Sequence, residues 1–274
     1  TTEIYTLSLH DALPIFDGEV LAPHKPDRRM LVLREPIGVT AAITPWNFPS
    51  AMITRKAGAA LAAGCTMIVR PASETPLSAL ALALLAEEAG VPAGVFNVVV
   101  GDGKQVGKML MESPDVKAVS FTGSTEVGKI LIRQSADTVK KVSMELGGHA
   151  PFIAFEDCDL DKAVADAIVA KFTTTGQDCL AANRIFVQRP IYDAFCEKFA
   201  AATAMLKTGP GWEEGVEQGP LMNEGAVAKC EAHVADATVK GARVLAGGGK
   251  LSKLGPNFFA PTVLADVTTE MKIF

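Results

Sequence analysis

From residue 39 onward, short apolar runs alternate with longer segments in which Ala and Leu recur. The runs at 39–44, 65–70, 96–100, 116–121 and 140–144 have the length of buried strands. The segments between them, 52–63, 77–89, 105–111 and 124–135, read as helices, the first two stopping at Gly64 and Gly90. Strands alternating with helices predict parallel β-α-β units and a doubly wound sheet. A second alternation follows. It has a strand at 151–155, a helix at 160–172, a strand at 184–188 and a helix from about 191 to 206 with Pro190 near its start. A helix from about 224 to 240 and strands at 243–245 and 260–264 complete it. Gly209-Pro210-Gly211 and Gly247-Gly248-Gly249 punctuate loops, and no internal repeat is visible. The expected class is α/β in two domains, with the boundary in Leu146-Gly147-Gly148.

The opening residues break this pattern. Residues 1–16, which include Thr6-Leu7-Ser8-Leu9-His10-Asp11-Ala12-Leu13-Pro14-Ile15, read as a non-native leader of the kind translated from sequencing adapter. A short natural strand and loop is the other reading.

Composition narrows the function classes. Of 274 residues, 49% are hydrophobic and 21% charged, the balance of a globular protein of one large or two ordinary domains. A formal charge of -5, without Lys or Arg runs, argues against a nucleic-acid or anionic-membrane partner. No apolar run reaches the roughly 18 residues of a membrane span. Cys65, Cys158, Cys179, Cys196 and Cys230 show no C-x-x-C spacing, which reads as reduced thiols in a cytoplasmic protein. His10, His24, His149 and His233 are scattered, and no metal site is expected.

Two glycine patterns bear on nucleotide binding. Gly101-Asp102-Gly103-Lys104-Gln105-Val106-Gly107 exceeds G-x-G-x-x-G by one residue and reads as a strand-to-helix turn. Gly123-Ser124-Thr125-Glu126-Val127-Gly128-Lys129-Ile130 approaches a nucleotide-triphosphatase phosphate loop. Ile130 replaces the hydroxyl that would ligate magnesium, and Glu126 puts a negative charge in the loop. In context a strand ends, Gly123 turns the chain and a helix opens at Ser124. Free N–H groups and the helix dipole there suit a pyrophosphate, with simple capping by Ser124 as the alternative. Arg70-Pro71-Ala72-Ser73-Glu74 also follows a strand's carboxyl end, where ligands gather in open α/β sheets.

Three motifs carry covalent chemistry. Cys179 stands in Thr175-Gly176-Gln177-Asp178-Cys179, Glu145 in Met144-Glu145-Leu146-Gly147-Gly148, and Asn47 in Pro45-Trp46-Asn47-Phe48-Pro49. A thiol nucleophile, a carboxylate base and an amide donor are what a carbonyl needs to pass through a thioester. In this order, with these flanking glycines and prolines, the motifs resemble the aldehyde dehydrogenase superfamily from about Asp17 to the last residue. Residues 41–56 and 145–153 look most like its succinate-semialdehyde dehydrogenase branch.

The resemblance implies a partial NAD(P)-binding, Rossmann-like domain at 17–146 and a partial catalytic domain at 147–274. Relatives begin earlier and continue further. The chain as it stands is therefore expected to be inactive or nearly so and to expose apolar surface, while full-length relatives are homo-oligomers. Cys179 would attack the aldehyde, Asn47 and the Cys179 N–H would hold the oxyanion, and Glu145 would activate water. Lys56 would assist the proton path and the cofactor ribose. Thr44, Pro45, Trp46, Arg70, Ser73, Gly123, Ser124 and Leu146 would complete the cofactor site.

NAD and NADP both stay open. Ser73 stands where NAD-preferring relatives often have Glu, so nothing at that position repels a 2′-phosphate, while the neighbouring Glu74 leaves the choice undecided. Arg55 matches an arginine that grips a substrate carboxylate. Thr173 stands where a second such arginine is common, so the aldehyde could be succinate semialdehyde, another ω-semialdehyde or a neutral one. Glu145 favours hydrolysis over transfer to coenzyme A. Leu180 and Ala181 show that no second cysteine follows Cys179. His149 reads as structural.

Each assignment has a plainer alternative. Cys179 could be a small buried hydrophobe, Glu145 a solvated strand end, Asn47 a turn residue, and Arg55 and Lys56 a solvated helix face. At the level of function, a cofactor-independent thiol esterase, a non-catalytic structural relative and a phosphate-loop nucleotidase are the competing readings.

Overall fold

The computed structural model describes residues 18–274, and the leader assigned to residues 1–16 lies outside them. The chain divides into two units at Gly147 and Gly148. The first begins with β1 (Glu19–Leu21) and β2 (Met30–Val32), an exposed antiparallel pair. The sequence pattern did not indicate this pair, because neither strand buries a face that would leave a hydrophobic alternation.

Five parallel strands follow: β3 (Val39–Ile43), β4 (Thr66–Arg70), β5 (Phe96–Val98), β6 (Val116–Thr122) and β7 (Lys141–Glu145). Their order is β5-β4-β3-β6-β7. The crossovers are α1 (Ala51–Ala62), α2 (Pro76–Glu88), α3 (Gly103–Glu112) and α4 (Thr125–Ser135). Successive residues of a strand point to opposite faces, and here both faces are covered. Ala41, Ile43, Val119 and Phe121 pack with Leu110 and Met111 of α3 and Leu131 of α4. Ala42, Met67 and Val69 pack with Ile53 and Ala57 of α1 and Ala79 of α2. This is the doubly wound sheet expected from the alternation. Asp102 caps α3 by accepting from the Gln105 N–H at 2.8 Å, so the first glycine pattern is a strand-to-helix turn.

Helix α2 is apolar all round, the composition of a buried helix. Nevertheless Leu77, Leu84 and Leu85 are 77%, 56% and 57% exposed. Among the described residues, no helix is long and apolar enough to cross a membrane.

In the second unit β8 (Ala150–Ala154) pairs in parallel with β9 (Ala182–Val187), and β10 (Arg243–Ala246) pairs antiparallel with β11 (Val263–Ala265). Around them lie α5 (Leu160–Phe172), α6 (Tyr192–Met205) and α7 (Glu224–Val239). Phe172 and Phe195 each stack on Phe199, with ring centroids 6.3 and 5.6 Å apart, at the centre of a core with Val164, Ala167 and Val263. Pro190 lies in a short 3-10 turn, Arg189–Ile191, just before α6. The last strand begins at Val263, later than the pattern suggests. Pro261 has no N–H to donate, and the Thr262 hydroxyl turns to the Ala260 carbonyl at 2.7 Å while accepting from the Gly248 N–H.

Phe195 is 2% exposed, so Phe195→Ala is expected to cost about 3–5 kcal/mol in urea unfolding. Leu84→Ser, on the open side of α2, should stay within about 0.5 kcal/mol. Similar costs at the two sites would contradict this assignment of the core.

Candidate active site

In the first unit the chain runs from β3 to β4 and β5 on one side, then returns to start β6 on the other. The loops leaving β3 and β6 diverge there, which opens a crevice at their carboxyl ends. Thr44, Pro45, Trp46 and Asn47 leave β3 at this edge, and Gly123 and Ser124 leave β6. Arg70 ends β4, Ser73 follows it, and Glu145 ends β7.

The geometry defines several of these residues closely. Arg70 is buried, and its Nη2 donates to Ser73 Oγ at 2.8 Å and to the Gly101 carbonyl at 3.0 Å. Ser124 Oγ accepts from the Val127 N–H at 3.3 Å, so this hydroxyl caps α4. Leu146 packs into the core beside α4, where Gly128 leaves room for it. A Cβ on Gly128 would fall 2.5 Å from Leu146 Cδ2.

Thr44 Oγ1, Arg70 Nε, Thr75 Oγ1 and Thr122 Oγ1 are buried without a hydrogen-bond partner. A buried unpaired polar group costs about 1–3 kcal/mol. Their concentration at one sheet edge, beside the N-terminus of α4, fits an edge built for a polar, anionic ligand such as a dinucleotide.

A second cluster lies on the sheet face under α1. Lys56 Nζ donates to Ser120 Oγ of β6 at 2.8 Å. Arg55, Lys56, Ser120, Thr122, Ser143 and Glu145 line one cleft. Parallel pairing sets Ser120 opposite Ser143 and Thr122 opposite Glu145. Burial lowers the Lys56 amine from 10.5 to about 8, with Glu145 opposing the shift and Arg55 adding to it. An amine near 8 exchanges protons near neutral pH, as an ordinary lysine does not. The charged form is the disfavoured one, so its cost to stability is fully present below about pH 8. That cost is relieved as pH rises from about 8 toward 10.5, where the unfolded chain still holds the proton and the folded chain does not.

Cys179 belongs to the second unit, half-buried just before β9. Parallel pairing puts Ala150 opposite Ala182, which brings Gly148 beside Cys179. A Cβ on Gly148 would lie 2.3 Å from the Cys179 carbonyl oxygen, so a glycine is needed where the two segments touch. Upstream, Thr174, Thr175 and Gly176 have φ of 57°, 56° and 65°, a short left-handed turn. For β-branched residues this conformation costs on the order of 1–3 kcal/mol each.

Several side chains hold that turn in place. Thr175 Oγ1 accepts from the Gly219 N–H at 3.1 Å, and Gln177 Oε1 accepts from the Met222 N–H at 2.9 Å. Gln177 Nε2 donates to the Pro220 carbonyl at 3.2 Å, and the buried Gln218 Nε2 donates to the Phe172 carbonyl at 3.0 Å. Asp178 Oδ1 accepts from the Leu180 N–H, closing a tight turn over Cys179. Thr173 Oγ1 donates to the Val169 carbonyl at 2.7 Å, so it finishes α5 and presents no charge. His149 serves the framework: its carbonyl accepts from Arg184 Nη2 at 2.9 Å, and its Nε2 lies 2.8 Å from the Phe274 carbonyl oxygen.

Sequence reasoning gave no role to Ser120, Gln177 or Gln218. Gln177 stands within the cysteine motif, but its partners are distant in the chain and leave no local signal.

A family model described as the aldehyde dehydrogenase family matches residues 7–274. The chain belongs to the aldehyde dehydrogenase family. It is 60% identical over 256 residues to a 3-sulfolactaldehyde dehydrogenase of Pseudomonas putida, covering 93% of this chain and 52% of that one. It is 58% identical over 256 residues to the NADP(+) succinate-semialdehyde dehydrogenase of Escherichia coli, covering 93% and 53%. The crystal structure of an NADP-dependent enzyme of E. coli superposes with a TM-score of 0.93 at 56% identity, covering 97% of this chain and 55% of that one. The chain thus spans about half the length of the curated relatives it matches. Aldehyde dehydrogenase architecture therefore accounts for the doubly wound sheet and the strand order.

Two outcomes follow from this geometry. Lys56 should titrate near pH 8 in an NMR titration of 13C-methylated lysines, and Glu145→Gln should move its midpoint lower by removing the charge that favours the ammonium. A midpoint near 10.5, or one that does not respond to Glu145→Gln, would contradict the cluster. Gly148→Ala should displace the cysteine loop and lower the melting temperature, a loss equivalent to about 1–3 kcal/mol.

Proposed function

We propose that the whole protein to which this chain belongs oxidises an aldehyde to its carboxylic acid, with NAD or NADP as hydride acceptor and Cys179 as nucleophile. The observation that carries the reading is the placement of Thr44, Asn47, Arg70, Ser124 and Glu145 along one carboxyl edge, with a proton-exchanging Lys56 in the adjoining cleft.

The roles follow the family resemblance. The Cys179 thiolate forms a bond to the carbonyl carbon while the π electrons move onto oxygen. The Asn47 amide and the Cys179 N–H donate to that oxyanion. When bound, a nicotinamide dinucleotide would supply the hydride acceptor, and Cys179 would carry the acyl group as a thioester. Glu145 takes a proton from water, the new oxygen–carbon bond forms, and the thiolate leaves with its electron pair. Lys56 stabilises charge on this path and returns protons to solvent. Thr44, Pro45, Trp46, Arg70, Ser73, Gly123, Ser124 and Leu146 would hold and orient the dinucleotide.

The substrate we infer carries an anionic group at the end remote from the aldehyde. The two curated relatives are named for sulfolactaldehyde and succinate semialdehyde, which share that feature. Arg55, which the resemblance matches to a carboxylate-gripping arginine, is the cation we assign to it, and the Thr173 hydroxyl serves α5 instead. Succinate semialdehyde or a similar ω-semialdehyde is therefore the preferred class, ahead of a neutral aldehyde.

In the whole protein, Cys179→Ala should abolish cofactor reduction. Glu145→Gln should slow turnover by about 10²–10⁴ and leave an acyl group on Cys179, visible as a mass increase. Cofactor reduction that survives Cys179→Ala would end the nucleophile reading. Ser73→Glu should lower kcat/KM with NADP by about tenfold or more relative to NAD, because a carboxylate beside Arg70 repels a 2′-phosphate. An unchanged ratio would remove Arg70 and Ser73 from the cofactor site.

A further inference from the structure

We propose that Gln177 is the positioning residue of the cysteine loop: its side-chain amide pairs with the 220–222 segment as a strand backbone would and so sets where Cys179 stands. The inference rests on the reading of Cys179 as nucleophile. In a parallel ladder one residue donates to the carbonyl before its partner and accepts from the N–H after it. The Gln177 side chain does the same around Leu221, donating from Nε2 to the Pro220 carbonyl and accepting at Oε1 from the Met222 N–H.

The contact is in register with two others. Gln218 meets the Phe172 carbonyl, Gly219 meets Thr175 Oγ1, and residues 220 and 222 meet Gln177. Leu221 in turn donates its N–H to the Asn257 carbonyl at 2.9 Å, tying the bracing segment to the rest of the unit.

The bracing matters because the loop cannot hold itself. Three consecutive left-handed residues have no continuing helical ladder, and the Gln177 N–H to Thr174 carbonyl bond, 3.1 Å, spans only one turn. Gln177 is the last braced residue before the tight turn over Cys179, so slack there reaches the thiol directly. The geometry also selects the residue type. Glutamate would keep the acceptor for Met222 but lose the donor for Pro220, and asparagine is one methylene too short to span both.

The test uses the whole protein to which this chain belongs, with Gln177→Ala and Gln177→Glu. Amide exchange at Met222 and Gly219 is followed by NMR. Iodoacetamide labelling of Cys179 is followed by peptide mass mapping, with Cys158 and Cys196 as references in the same molecule. In Gln177→Ala, Met222 exchange should rise about tenfold or more, and Cys179 should label several times faster as the half-buried thiol is released. The reference cysteines should not move, which separates local release from general loosening. Gln177→Glu should fall between parent and alanine variant.

Rates at Met222 and Cys179 within about twofold of the parent would overturn the proposal, as would equal acceleration at all three cysteines. If the alanine variant does not fold, the same criteria applied to Gln177→Glu decide. Failure of the nucleophile reading shows elsewhere, as cofactor reduction surviving Cys179→Ala in the whole protein, and leaves these rates unchanged.

Discussion

Parallel pairing of β3 with both β4 and β6 is the constraint on which the first unit depends. Two parallel strands cannot be joined by a tight turn, so each connection must cross a face of the sheet, and here it does so as a helix. The strands then all point their carboxyl ends the same way. Because the crossovers go to β4 on one side and to β6 on the other, the loops after Ile43 and Thr122 part at the middle of the sheet. Thr44, Arg70, Ser124 and Glu145 share an edge for this reason and no other. They are far apart in sequence, and none contacts another through local structure.

A cost accompanies that arrangement. The sheet is satisfied by its own ladder, but the edge leaves buried hydroxyls and one guanidinium nitrogen unpaired. A lysine held at about 8 beside a carboxylate and an arginine is a further unfavourable term, since burial works against its charge. Stability lost in this way keeps the Lys56 amine near neutral pH in the cleft. On the opposite face Ile43, Val119, Phe121 and Leu131 form an apolar core, and the buried Lys140 beside it donates its ammonium to the Leu110 and Ser113 carbonyls.

The second unit meets a related problem by different means. Its cysteine loop takes up backbone conformations that threonines resist, and the bracing comes from the loop's own Thr175 hydroxyl and Gln177 amide meeting backbone groups distant in the chain, and from the Gln218 amide. Gly148 belongs to the same solution from the other side, because only a residue without a Cβ lets the start of β8 pass the Cys179 carbonyl. The second glycine of the Glu145 motif, Gly148, is thus explained by Cys179.

The sequence by itself determined the class of fold, the alternation of strands and helices, and the three motifs. Those features rest on hydrophobic period, on Gly and Pro as breakers, and on residue types that chemistry requires, all of which are local. It missed the β1–β2 pair, because exposed strands leave no pattern, and it placed the start of the last strand too early, because the turn at Pro261 and Thr262 depends on Gly248. It read Ser124 both as cap and as phosphate ligand, and the hydroxyl does cap α4. Only the tertiary structure decided that Lys56 reaches Ser120 and that Gln177 and Gln218 brace the loop before Cys179. Each of these is a contact between residues whose separation in sequence has no fixed period, so it exists only once the strands have paired and the helices have packed.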